Sequence, residues 1–521
     1  MVFGVSSNIS RRLFLLSTVG MLAACTIDSK KPADGDGDFA PSLPPAPPVL
    51  RPLPIPSVST PSQGVHRLVA AVGSTQILPD INTTTWGFNG PFLGPTIRLS
   101  RGEDCVIECE NRLPEDTAIH CHGMLLPAPM DGGPHSPIRP NETWRAEFRV
   151  EQPAATLWYH PHIHGRTGVQ AYRGLAGMII IDDDVEDTLD LPRDYGVDDI
   201  PVVIMDANFT SDGQLDENLD LTVGLQGEKV FVNGIVDPEF QATTRKVRFR
   251  LLNASTMRFH NIGFSDGRRF YSIASDTGLL GSPRKVDSVR LGPGERNEIV
   301  VEIQPKETVL LVSGGFPDNL GVPKGVMVPD FKLQETATLV TIRGTTHSPT
   351  SRHDDGASVP AVLDPSAAAP VDLSEARERS FELNTFEING QAMDMHRIDF
   401  AIDHSDPEIW WVTNGNSDWI HNFHVHNCAF QVLESSPTDV EFDAYGWKDT
   451  VTIPPGVTVK LGVLFGQYRN RHYPYMYHCH MLYHEDQGMM GQFMMINKGE
   501  SPELDTAYTQ DPRNVRGLHG H

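Results

Sequence analysis

Short runs in which every second residue is apolar, cut by turn formers, constrain this chain most. Trp144, Ala146, Phe148 and Val150 alternate with Arg145, Glu147 and Arg149. Val247, Phe249 and Leu251 alternate with Lys246, Arg248 and Arg250. A period of two puts one set of side chains on one face of a strand, so both runs predict half-buried β-strands. Apolar strand-like runs follow at 177–181, 201–205, 297–303, 308–312 and 459–465, with no long amphipathic helical pattern between them. The 45 Gly and 41 Pro suit many turns between short strands. At 521 residues the chain is too long for one core. Three antiparallel β-sandwich domains are expected at 62–185, 195–345 and 375–498. A Ser/Pro/Ala/Asp-rich linker at 346–374 and a weaker break at 182–200 divide them, and 499–521 is a tail.

The N-terminus reads as an export address. Ser10-Arg11-Arg12-Leu13-Phe14-Leu15 resembles a twin-arginine motif, and the apolar run from Leu13 to Ala24 is too short to span a bilayer. Leu22-Ala23-Ala24-Cys25 resembles a lipobox, with an ordinary cleavage site as the alternative. The signal is therefore 1–25, followed by a proline-rich tether without a core at 26–61. The expected location is periplasmic or cell-surface, anchored by lipid at Cys25 and otherwise not in the membrane. The formal net charge of -25 argues against nucleic acid as a partner and favours solubility or cationic substrates.

Four segments carry the chemistry: His120-Cys121-His122, His160-Pro161-His162, His421-Asn422-Phe423-His424-Val425-His426, and His478-Cys479-His480 with His484 and Met489. On a strand, residues i and i+2 share a face roughly 6.6 Å apart, so each His-x-His can serve one metal or two adjacent metals. One pair is weak evidence of a metal; four in one chain are not. Cys479 points opposite to its two histidine neighbours if the segment is extended, and so binds a different ion from them. Cysteine, two histidines and a weak axial methionine describe a blue electron-transfer copper site. His421 is the natural second histidine beside His484.

These segments, in this order, resemble the multicopper oxidase signature over nearly the whole mature chain. The likeness is strongest to three-domain bacterial members of the cuprous oxidase and spore-coat laccase type. It is carried also by Leu157-Trp158-Tyr159, Gly174-Leu175-Ala176-Gly177, Ile388-Asn389-Gly390-Gln391 and Glu485-Asp486-Gln487-Gly488. The resemblance implies an all-β fold of three cupredoxin-like Greek-key sandwiches and four copper ions. It assigns the type 1 copper to His421, Cys479, His484 and Met489, and the type 2 copper to His120 and His424. One type 3 copper falls to His122, His160 and His480, the other to His162, His426 and His478. The cluster would then lie between the end domains, with a structural middle domain. Asp131 and Glu485 match the family's proton-delivering acids; a turn-forming Asp-Gly and a solvated surface acid are the plainer readings. Cys121, Asn422 and Asn427 stand where the family usually has Trp, Pro and Gly.

The implied reaction is one-electron oxidation of a reducing substrate by a monomer, coupled to reduction of O2 to water. Cu(I) or Fe(II) is the first expected donor and phenols the alternative, because 346–374 lacks the methionines that would select Cu(I). Met393, Met395 and His396 could form a small soft-metal site or simply fill a core. A copper-free scaffold serving in cell division is the contrasting class; this chain keeps every ligand position. Cys105 and Cys109, roughly 13 Å apart along a strand, are expected as buried thiols rather than a disulfide. His135, His260, His347, His353, His519 and His521 are expected to be solvent or structural histidines, and His164 has no ligand role.

Overall fold

The structure, a computed structural model, describes residues 50–325, 327–345, 359–437 and 445–505. The export signal with Cys25 and the histidines at 347, 353, 519 and 521 lie outside the described residues. Six β-sheets pack face to face in three pairs, each pair around its own apolar core. The first pair is two four-stranded sheets, the second two six-stranded sheets and the third two five-stranded sheets. The longest α-helix among the described residues is Thr167–Tyr172. The chain is thus all-β, as the alternation implies. Thr143–Arg149 buries Ala146 and Phe148 and exposes Arg145, Glu147 and Arg149, and each large apolar side chain so buried contributes about 1.5–3 kcal/mol.

The sandwiches are mixed rather than antiparallel. Val65–Ala70 runs parallel to Val106–Asn111, Asp199–Ile204 to Arg248–Asn253, and Arg377–Leu383 to Glu408–Asn414. The same pairing recurs in all three, because in each the chain crosses to the facing sheet, at Ile97–Ser100, Pro238–Ala242 and Phe400–Ile402, before it returns.

The described fold reaches earlier than the expected tether end at 61. Arg51–Pro52 adds a parallel edge strand to Pro238–Ala242 of the middle sandwich, and Leu53 is buried. An edge position tolerates Pro52, which has no N–H for an inner ladder. The expected linker also ends earlier: Leu363 is buried against Leu279 and Leu280.

The strand Lys246–Asn253 is not half-buried. Arg248 and Arg250 are fully buried in an ion network. Arg250 donates to both oxygens of Asp199 at 2.7 and 3.0 Å, to Glu298 Oε1 at 3.0 Å and to Thr156 Oγ1 at 2.9 Å. Arg248 pairs with Glu298 and with Glu186. Alternation reports polarity, and these polar residues face a neighbouring sandwich instead of water. Arg250→Leu should lower the first calorimetric unfolding transition by about 3–5 kcal/mol, because Asp199 and Glu298 lose a buried partner. An unchanged transition would show the network to be dispensable.

The described cysteines are buried and unpaired, including Cys105 and Cys109. Burial pushes both of those thiols up to about 12.

Candidate metal centre

Adjacent strands set the histidines in register. His120 lies opposite His160 between strands His120–His122 and Ala155–His160, and His424 lies opposite His478 in the third sandwich. The alternation of each His-x-His turns both rings to one side, toward the other sandwich. There the rings stack across the interface: His120 on His426 at 3.9 Å and His122 on His424 at 3.7 Å between centroids.

Backbone carbonyls decide which nitrogen faces inward, because they can only accept. Nδ1 of His120 donates to Asp131 O at 2.8 Å, His160 to Pro161 O at 2.7 Å, His424 to Asp449 O at 2.8 Å and His478 to Cys479 O at 3.1 Å. Each of these rings therefore presents the lone pair of Nε2 to the interior. His162 Nε2 and His426 Nε2 both lie 3.3 Å from His478 Nε2, and His160 Nε2 lies 3.4 Å from His480 Nε2. Nε2 of His120 and of His424 have no partner. His122 is turned the other way, with Nε2 on Asp449 Oδ1 at 2.9 Å and Nδ1 unpartnered. Burial pushes His120 down to about 3 and holds His122, His160, His162, His424, His426 and His480 well below the usual imidazole range. Neutral imidazoles with converging lone pairs repel one another unless a cation sits among them, which is the state that metal ligation requires. His120–His424–His426, His120–His122–His160 and His162–His426–His478 each bring three ligand atoms within 4.8 Å of one another. The last is a triad that the resemblance implies; His480 joins the cluster through its contact with His160.

Cys479 points away from its neighbours, as strand alternation requires. Its Sγ lies 3.7 Å from His421 Nδ1 and 3.6 Å from His484 Nδ1, and those nitrogens are 3.1 Å apart. A triangle of that size has room for one ion at about 2 Å from each corner, a normal metal–ligand bond. Met489 is buried and its backbone holds Cys479 N at 3.1 Å. Burial pushes the Cys479 thiol up to about 12, so a thiolate needs a cation beside it. Asn422 offers Oδ1 to Sγ at 3.4 Å, while its Nδ2 is fixed on Pro293 O at 2.7 Å. Asn427 adopts φ +52°, the left-handed conformation that Asn tolerates best after Gly.

The outer layer of the cluster contains acids. Asp131 Oδ2 accepts from His426 Nδ1 at 2.6 Å, and burial pushes its carboxyl up to about 6. Glu485 is buried too, with Oε1 3.4 Å from His162 Nδ1 and Oε2 3.2 Å from His478 Nδ1. Neither is a surface group. Asp449 and Arg296 escape sequence reasoning. Arg296, from the middle sandwich, grips both oxygens of Asp449 at 2.7 and 2.6 Å, and Asp449 holds His122. Nothing local marks an Arg or Asp that acts only after distant strands meet. Gly294 takes φ +85° against His480, whose ring atoms would lie within 3.0 Å of a Cβ there. The middle sandwich therefore buttresses the cluster.

The remaining candidates sort plainly. Met395 is buried while His396 is exposed, so they do not converge on a soft-metal site. His260 is buried between Ser255 and Ser313, and His135 bonds Gln492; both are structural. His164 is only half-buried.

Three cupredoxin-type sandwiches, with a buried imidazole cluster between the first and third and a Cys-His-His set beside it, define a metal protein of redox type. Residues 71–186 and 363–499 match multicopper oxidase family profiles. The chain is 33% identical to a multicopper oxidase of Staphylococcus epidermidis over 83% of its own length and 88% of that protein. It is also 34% identical to the cell division protein FtsP of Xenorhabdus nematophila, over 80% and 85% of the two chains. A crystal structure of a multi-copper oxidase from Pediococcus acidilactici superimposes with TM-score 0.77 at 33% identity, covering 90% of this chain and 96% of that one. The chain belongs to the multicopper oxidase family.

Proposed function

We propose that this protein is a copper-dependent oxidase that couples one-electron oxidation of a small donor to four-electron reduction of O2 to water. The observation that carries the reading is the convergence of eight buried imidazoles beside the Cys479–His421–His484 triangle. A scaffold without copper has no need of either. Four copper ions are assigned: type 1 on His421, Cys479, His484 and Met489; type 2 on His120 and His424; type 3 on His122, His160 and His480, and on His162, His426 and His478. Bound copper supplies electron acceptance at the first site and oxygen reduction at the others. The protein supplies ligand orientation through the carbonyls and carboxylates on the outer ring nitrogens. His478 and His480 flank Cys479, so a short backbone path joins the two groups. The twin-arginine motif and Cys25 support export and lipid anchoring.

The donor reading follows the cover of the type 1 site. Trp419, Phe386 and Tyr483 surround His484, with ring centroids at 5.2, 5.6 and 6.3 Å. An aromatic cover favours a phenolic donor over Cu(I), which seeks thioethers. The acidic surface favours Fe(II) as the second reading. Comparing kcat/KM for Cu(I), Fe(II) and a phenol decides between them; loss of all oxidation with a full copper complement would overturn the oxidase reading.

Asp131 and Glu485 sit at the cluster's edge, against His426 and against His162 and His478, where acids can relay protons. Asp131→Asn and Glu485→Gln should retain copper and slow turnover about 10²-fold, the low end for positioned acids and bases. Stopped-flow traces should put the defect in reoxidation by O2 and leave reduction by the donor unchanged. Normal reoxidation in both variants would remove the acids from the mechanism.

A further inference from the structure

One surface loop touches the outer edges of both histidines of the type 1 group. His421 Nε2 donates to Asn416 Oδ1 at 2.8 Å, which fixes His421 Nδ1 as the inward lone pair. Three residues on, the Trp419 indole stacks on the His484 ring at 5.2 Å and only 13° from parallel. The loop is braced rather than loose: Asn414 Nδ2 donates to Trp419 O at 2.8 Å and to Ile453 O at 2.9 Å. His484 itself is fully buried, and its Nε2 has no partner. No donor in solution can touch it. Trp419, by contrast, is half-buried, and so is Phe386, whose ring lies 5.5 Å from the indole.

We infer that Trp419 is the electron-entry residue of this protein: a planar aromatic donor stacks on its outer part and passes an electron through the indole to His484. This rests on the oxidase reading and names its donor class. Aromatic rings in offset contact attract through dispersion and their quadrupoles, and the partly exposed indole beside Phe386 offers such a seat. Each phenol molecule loses one electron and its hydroxyl proton and leaves as a phenoxyl radical. Cys479, His421 and His484 would hold the copper that accepts the electron, and the proton goes to water. O2 is the final oxidant, and four donor molecules supply the four electrons for two waters. Aqueous Fe(II) needs no stacking platform.

Trp419→Leu removes the ring and leaves a smaller apolar side chain; Trp419→Phe keeps a smaller ring. With copper-loaded protein mixed anaerobically with 2,6-dimethoxyphenol, the blue band should bleach at least tenfold more slowly in the Leu variant and recover most of its rate in the Phe variant. Bleaching by Fe(II), which gains nothing from a stacking ring, should slow by less than bleaching by the phenol in the Leu variant. In the copper-free full chain, saturation-transfer NMR should detect dimethoxyphenol bound to wild type and to the Phe variant but not to the Leu variant. Equal bleaching by the phenol in wild type and the Leu variant, or equal binding, overturns the inference. Absence of a blue band in copper-loaded wild type overturns the oxidase reading instead, and the copper-free binding comparison still decides the seat.

Discussion

Cys479→Ser should yield a folded protein that still takes up copper but has lost its intense blue absorption and almost all turnover. The hydroxyl cannot replace a thiolate in the triangle with His421 and His484, whose edges are 3.1 to 3.7 Å. The cluster imidazoles are held from outside by Asp131, Pro161, Asp449 and the backbone of residue 479, and none of these holds depends on Sγ. The variant should therefore keep a type 2 paramagnetic signal while oxygen consumption falls on the order of 10³-fold or more, as when one member of a catalytic unit is removed. His480→Ala should do the converse, with the blue band kept and oxygen reduction lost. Met489→Leu should keep the colour and raise the type 1 potential, since only a weak axial donor goes. A Cys479→Ser protein that remains blue would sink the ligand assignment.

The candidate ligands were legible because each His-x-His is local: two residues on one strand need only a period of two to act together. The orientation of Cys479 followed from the same rule. The strand 143–149 was legible for the same reason. The strand 246–253 departs from the half-buried expectation because periodicity records polarity and cannot tell water from a buried carboxylate. Asp449, Arg296 and Trp419 gave no local sign, since their roles arise only where separate strands and loops meet. The edge strand Arg51–Pro52 was hidden by its prolines, whose partner lies in the middle sandwich.

Lowering the pH from 7 to 5.5 should unfold the copper-free protein. His120, His122, His160, His162, His421, His424, His426, His480 and His484 are all held below the usual value by burial. An unfolded histidine takes a proton as the pH falls through about 6.5, and the folded ones do not. Their stabilisation is therefore complete above 6.5 and is lost as the pH falls below it, down to the folded values, about 3 for His120 and His484. Each such group removes about 1.4 kcal/mol by pH 5.5, and nine together reach on the order of 10 kcal/mol, comparable with the whole stability of a domain. Asp131, pushed up to about 6, and Asp206, Glu295, Asp449 and Asp486, also raised by burial, work in the opposite sense and let the native state regain part of that stability as the pH falls. Copper competes with protons for the same lone pairs, so the loaded protein should hold its fold to a lower pH. Circular dichroism against pH for both forms measures this. A copper-free protein equally stable at 7 and 5.5 would mean that the imidazoles are not held neutral.

The ring pairs that close the cluster join positions far apart in the chain: His162 and His478 are separated by 316 residues, His160 and His480 by 320. During synthesis the ribosome delivers the first two histidine pairs long before the last. Until then those rings face water, and the two proposed type 3 triads have two and one of their three histidines. Closing a loop of that length also delays the final docking relative to the folding of each sandwich. Copper loading is therefore expected as the last event of assembly, and a chain cut short before His478 lacks one member of both the His162–His478 and His160–His480 pairs at any copper concentration.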